Sequence, residues 1–374
     1  MLSLYLSLIQ PYLKGGGGSN SAQNRSPAAA ERLNNISIGV LERERPAVAQ
    51  QNRGRRLRPE EVANSDIDAL LLSEDTLRAA RSDRSLNRNI RGFIASGKIL
   101  VVENATNEEL KENLEVENMP TVETDEPILY SAVVETSTGT TVAGLVLDSS
   151  STPELEVEED LPTILRETIA SLEDIGMEEN RRKGWELRQR AYINYPACPY
   201  GRFEENAFGE QFLGDGSSAN DYFNVRLKQV SSGGTLYCST RYQTDTLYSE
   251  ASVFHGYNSI TDYGPTTTDA GVSTSVAIGY GTFEKTWSFT TPDVSISDLG
   301  NTPELAAWRF NYRVGSDAAK YRYLSEPGIF VQTPQGTSLT VYREILMRFV
   351  GGSLDFLSPG SLAKTYRINF TNYN

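Results

Sequence analysis

Leu86, Ile90, Phe93 and Ile94 recur with helical spacing, which places all four on one face. Gly97 follows as a helix stop. Ile99 to Val102 then form a run that is apolar on both sides, as a buried strand is. Upstream, Ser73 followed by Glu74 and Asp75 predicts a helix start, with a hydroxyl cap and acids in the first turn. Downstream, "NEELKENL" from Asn107 reads as a short capped helix. "ILYSAVVET" and "TVAGLVLD", flanking "STG", read as a β-hairpin. Together these elements predict a small α+β module over 73–148.

A different pattern governs 191–374. "VSTSVAIGYG", "KTWSFTT", "DVSISDL", "AWRFNYRV", "SLTVYRE" and "TYRINF" alternate with period two or carry strand propensity. Trp287 with Phe289, and Trp308 with Phe310 and Tyr312, fall on one face of their strands. Clusters such as "GDGSSAND", "DYGPTTTDAG" and "SEPG" punctuate them as turns. The expected fold is an all-β domain of sandwich or jelly-roll type. Ahead of the module, 1–72 reads as an extended arm: it contains "KGGGGSN" and shows no core-forming pattern. Its first residues, "MLSLYLSLIQPYL", are too short for a membrane span and lack a basic leader, so they predict an apolar anchor on a partner. Between the folded parts, 149–190 reads as an acidic linker leading into a helix that carries Ile164, Leu165, Ile169, Leu172 and Ile175.

Charge divides the chain in the same places. The net of −14 resolves into +5 over 1–100, −19 over 101–180 and zero over 181–374. Arg53, Arg55, Arg56 and Arg58 form a candidate partner-docking patch. They have no interleaved aromatic rings, which argues against a nucleic-acid platform. Acidic segments repel their own copies unless basic arms meet them, so a homo-oligomer is expected, with a trimer favoured. Of 19 tyrosines, 16 follow residue 190, and Tyr257 and Tyr263 are the candidate surface-recognition residues, set against a plain packing role.

Catalytic chemistry finds little purchase. The single histidine, His255, argues against a zinc site, which usually draws on several His and Cys ligands, and no G-x-S-x-G elbow accompanies it. Cys198 and Cys238 allow one disulfide. Glu156, Glu158, Glu159 and Asp160 lack the ordered oxygen spacing of a calcium loop. The expectation is therefore no enzyme, no catalytic residues, no metal and no cofactor.

The helix, "FIASGKILVV" and the acidic stretch after it resemble a module near the N-termini of many bacteriophage virion proteins. The chain departs from that pattern at "VENATNEE", where Asp-Gly-Thr often stands. The resemblance implies a structural virion protein: a fibre, spike or head decoration that docks on other virion proteins and meets a host receptor or glycan. A second resemblance points elsewhere. "TDAGVSTSVAIGYGTFEKTWSFTTPD" is somewhat like the stem-to-cap passage of haemolysin-type toxins, which implies a secreted β-pore-forming toxin. A barrel hairpin needs two alternating strands of about ten residues, and the sequence makes one of them convincing. A glycan-active enzyme is the third class, since 49 acids always offer a carboxylate pair.

Overall fold

The computed structural model describes residues 36–42, 54–116, 119–135, 141–147, 186–197, 199–212, 217–234, 241–254, 256–271, 273–280, 283–300, 303–351 and 359–372. Strands dominate, with an α/β unit at the N-terminal end and a β-sandwich beyond it.

In the first unit, β1 (Ile38–Leu41), β2 (Arg55–Leu57), β3 (Ala69–Ser73) and β4 (Ile99–Glu103) run parallel in the order β2-β1-β3-β4. β3 and β4 are buried at their first four positions, as parallel strands covered on both faces are. Helix α1 (Glu74–Ser82) is capped by Ser73, and α2 (Arg84–Ala95) by Asp83, which accepts from the amides of Ser85 and Leu86. Leu86, Ile90, Phe93 and Ile94 point inward from α2. Gly97 then takes φ +80°, which a Cβ would strain, and β4 follows. Helix α3 (Asn107–Leu114) opens with a reciprocal Thr106–Glu109 capping box. Next come β5 (Thr121–Glu123), β6 (Ile128–Glu135) and β7 (Thr141–Leu147), of which β6 and β7 pair antiparallel.

Strand β8 (Glu186–Ala197) pairs parallel with β7 and carries the sheet into the second unit. There β9 (Gly201–Phe212), β10 (Asn220–Gly233), β11 (Tyr242–Val253), β12 (Ser259–Gly264), β13 (Ser273–Tyr280), β14 (Phe283–Thr290), β15 (Val294–Asp298), β16 (Leu305–Tyr312), β17 (Arg322–Ser325), β18 (Gly328–Pro334), β19 (Leu339–Gly351) and β20 (Gly360–Phe370) follow. The first sheet runs β12-β18-β10-β9-β8-β7-β6-β4-β3-β1-β2, with β17 beside β10. The second runs β15-β16-β11-β19-β20-β5, and among the described residues β13 and β14 pair only with each other. The faces of the two large sheets meet over a core that includes Phe203, Val225, Leu247, Trp308, Ile345 and Phe370.

A polar network crosses that core. Arg343 on β19 grips Glu205 on β9 with two hydrogen bonds, of 3.1 and 2.7 Å. Tyr366 donates to the same carboxylate at 2.8 Å, and Gln229 does so at 2.8 Å. Ser249 accepts from Arg343 and Gln229, and Ser325 donates to Gln229. Glu205 and Arg343 are both fully buried. Burial and the adjacent carboxylate push the Tyr366 hydroxyl well above its ordinary value, so it stays a donor.

Two expected boundaries move. The stretch read as an arm to residue 72 contains β1, β2, most of β3 and the 3₁₀ turn Pro59–Asn64. Its short apolar runs, "IGVL" and "ALLL", carry no period of their own and become strands by parallel pairing. The sandwich starts at Glu186 rather than residue 191: "ELRQR" is strand, not the continuation of a helix. The expected glycine linker and the apolar helix within 149–190 lie outside the described residues, as do Cys198 and Cys238.

Removing one partner of a buried pair strands the other charge, so Arg343→Ala is expected to destabilise the fold by about 3–5 kcal/mol. Urea unfolding followed by tryptophan fluorescence checks it, and an unchanged midpoint would show that the pair is dispensable.

Candidate functional site

Strands β13 and β14 form a hairpin with two unlike faces. Cross-strand pairs Val276–Trp287 and Thr274–Phe289 point toward the body, as does the pair Ile278–Lys285 nearer the turn. Val276, Ile278 and Phe289 are buried in the main core, with Trp287 packed against it. The opposite face carries Ser273, Ser275, Ala277, Glu284, Thr286, Ser288 and Thr290, all exposed. Strict alternation over both strands produces this division.

The hairpin lies on the outer face of the first sheet. Its eight-residue ladder is internal, and among the described residues no ladder joins it to another strand. The body holds it through side chains. Trp287 Nε1 donates to the Glu326 carbonyl at 2.7 Å, and the Gly279 amide donates to Asp262 Oδ2 at 2.9 Å. Lys285 Nζ pairs with Glu210 at 3.2 Å, both groups mostly buried. The Thr268 and Thr274 hydroxyls meet at 3.4 Å. Asp262 sits where the β12–β18 register shifts, and that irregularity aims its carboxylate at the hairpin.

Bare backbone makes the close fit possible. A Cβ on Gly328 would stand 2.6 Å from the Trp287 ring, and one on Gly264 would stand 2.9 Å from Val276 Cγ1. Arg226 fills the remaining angle. Its guanidinium lies 5.4 Å from the Trp287 ring and 5.7 Å from Phe208, and it pairs with Glu326. A cavity of about 30 Å³, enough for one water, remains between Phe208, Asn224, Arg226, Lys285 and Trp287. It is too small for a cofactor. Among the described residues no group of His, Cys, Asp or Glu is placed to hold a metal, and no helix is long and apolar enough to cross a membrane.

The residues singled out in the sequence do not converge. Tyr257 is 69% exposed at the β11–β12 turn, with Phe254 beside it at 5.8 Å. Tyr263 is a packing residue: it meets Trp308 edge-on at 6.1 Å and donates to the Gly300 carbonyl at 2.8 Å. Burial, then the Asp298 carboxylate, push its hydroxyl up. Arg55 and Arg56 are exposed on the edge strand β2, and Arg58 lies 3.9 Å from Glu42. Arg53 and His255 lie outside the described residues. The sequence placed strands at both segments, with only one of them convincing as a barrel stem. The apolar face of β14 is interrupted by Lys285 and the hairpin's turn lacks an Asn-Gly or Asp-Gly signal. The alternation of "EKTWSFT" was the available sign.

No family model matches the chain, and no curated protein does. Among the solved structures that overlap with it are one titled "Pore forming protein" and another titled "Clostridium perfringens delta-toxin". Each is 10% identical and covers 49% of this chain. The overlap takes in 90% of the first protein and 89% of the second, at TM-scores of 0.29 and 0.30. Likeness of that extent carries no weight for what this chain does; the geometry above stands without it.

Gly328→Ala sets a methyl against the Trp287 ring and is expected to lift it from its seat, at a cost of about 1–3 kcal/mol. In a Trp185→Phe background, tryptophan emission should shift to the red. Emission identical to the parent would mean that Trp287 is not packed on Gly328.

Proposed function

We propose that this chain is a β-pore-forming protein and that β13–β14 is its membrane-inserting hairpin. The supporting observation is that the hairpin is joined to the body through side chains, with no shared ladder among the described residues, while its own ladder is complete. It can therefore leave without breaking any sheet and enter a bilayer with its backbone already paired. The rest of its design is consistent with that use. The docked face is the one that would meet lipid, and the Ser/Thr/Ala face would line an aqueous lumen.

Size supports the same reading. Eight residues rise about 27 Å along a strand and about 20 Å across a bilayer at barrel tilt, close to the ~25 Å apolar band. The Gly271 amide bonds the Thr291 carbonyl at 2.7 Å, so pairing reaches past the ladder. The docked apolar side chains Val276, Ile278, Trp287 and Phe289 contribute about 1.5–3 kcal/mol each, which keeps the hairpin down in water. A bilayer is the medium that replaces that contact. One hairpin cannot close a barrel, so the pore is a ring of copies that each supply two strands. No catalytic step enters this mechanism.

The virion reading rested on the helix, Gly97 and the strand after it, together with the arm and the β-rich half. In the fold the helix and strand are α2 and β4 of an α/β layer, a connection common to many folds.

A covalent lock tests the proposal. The Gly264 Cβ position lies 3.8 Å from Val276 Cβ, which suits a disulfide. The Gly264→Cys/Val276→Cys chain, with Cys198 and Cys238 changed to Ser, is expected to release no dye from liposomes when oxidised and to release it after reduction. Equal release in both states would remove the hairpin from the mechanism. No release from the wild-type chain on any vesicle would remove pore formation itself.

A further inference from the structure

A row of arginines runs along the outside of the N-terminal unit. Arg84, Arg88 and Arg91 occupy i, i+4 and i+7 of α2, which sets them on one face, and all three are exposed. Arg81 precedes them at the end of α1, also exposed. The helix packs against the 3₁₀ turn Pro59–Asn64, where Asn89 donates to the Pro59 carbonyl at 2.9 Å. That turn follows directly on β2, where Arg55 shares the helix side of the sheet with Leu57, so Arg55 extends the basic surface while Arg56 points to the opposite face.

Few acids answer this row. Arg91 reaches Glu115 at 3.4 Å, in an exposed pair. Among the described residues Arg55, Arg56, Arg81, Arg84 and Arg88 have no ion pair. The neighbouring acids include Glu60, Glu61 and Asp83; Glu61 is turned to the Arg58 amide, and Asp83 accepts from the first amides of α2. The stretch that follows in sequence is acidic, with −19 over 101–180. Basic charge is thus gathered in one place on a molecule whose net charge repels anions. Arginine, rather than lysine, is the residue that grips phosphate with two parallel donors.

We infer that the α2 face, with Arg81 and Arg55, docks on an anionic phospholipid surface. The inference rests on the pore-forming reading, which makes a bilayer the partner already in play. A helix lying flat presents its arginines together to a plane of headgroups. Nucleic acid fits less well. The exposed large apolar residues of the described chain, such as Tyr257 and Tyr321, all lie in the sandwich, so this unit offers no rings on which bases could stack.

The test separates docking from insertion. The full chain carrying the oxidised Gly264→Cys/Val276→Cys lock is cosedimented with vesicles of phosphatidylcholine alone, or of phosphatidylcholine with phosphatidylserine. The wild-type chain is run beside it. Binding to the anionic vesicles is expected to exceed that to neutral ones at least about ten-fold and to fall as salt rises. Arg84→Ala/Arg88→Ala should weaken it about 25-fold, at about five-fold per arginine. Arg348→Ala, on the sandwich, should leave it intact. Equal binding to both vesicles, or an unchanged double variant, would overturn the inference. So would retention of duplex DNA by the α2 face in a gel shift without vesicle binding. If the chain binds anionic vesicles but never releases dye, docking stands and pore formation falls.

Discussion

The Glu205–Arg343 pair constrains everything around it. Two charges with no solvent access must meet each other or not fold at all, and here they meet across the two sheets. Such a pair adds little net stability compared with an apolar substitute, but it tolerates one register. If β9 slipped by one residue, Glu205 would turn outward, Arg343 would be buried alone, and every side chain of the strand would change face. The hydroxyl of Tyr366 and the amide of Gln229 complete the carboxylate's partners from β20 and β10. One carboxylate thus ties β9, β10, β19 and β20 into a single alignment.

That alignment reaches the outer face of the first sheet. With Glu205 and Gly209 turned into the sandwich, Phe208, Glu210 and Phe212 must point away from it. Glu210 is the group that meets Lys285, and Phe208 shares the Arg226 guanidinium with Trp287. On β18, Ile329 shares the inward face with Val225, which leaves Gly328 outward beneath the Trp287 ring. The seat of the hairpin is therefore the reverse side of the core. A body whose register is rigidly specified can hold a segment by side chains alone, because each of those side chains is already aimed.

Much of this was legible in the sequence, and the reasons are local. The caps at Ser73 and Thr106, the period of α2 and the stop at Gly97 need only near neighbours, and they stand where the pattern placed them. The alternating strands of the sandwich were readable for the same reason. What failed depends on distant partners. "IGVL" is four apolar residues that become a strand only between β2 and β3. "ELRQR" fell at the end of the stretch assigned to linker and helix, yet pairing with β7 and β9 makes it strand. Tyr263 looked like a recognition residue because exposure is a property of the whole fold, and Trp308 happens to lie against it. The hairpin was half-visible: β13 alternates cleanly, whereas β14 places a lysine where the apolar face should continue.

Lys285 makes sense once its position is considered. It stands two residues into β14, beside the turn, opposite Ile278. In the docked hairpin it sits among aromatic rings, 5.9 Å from Phe212, with its charge met by Glu210. A leucine there would pack as well, but it would lose the ion pair that marks this seat. In the membrane-inserted state we propose, the same position would be the deep end of the hairpin, where a long side chain could extend past the acyl region to the far headgroups. A charge at the middle of the strand, in the place of Val276 or Trp287, would have no such exit and would cost about 2–4 kcal/mol. The one cation on the hairpin's apolar face thus stands where the docked seat satisfies it and where the proposed inserted state would as well. The ordinary rule that a buried strand face excludes charge is broken only next to the turn.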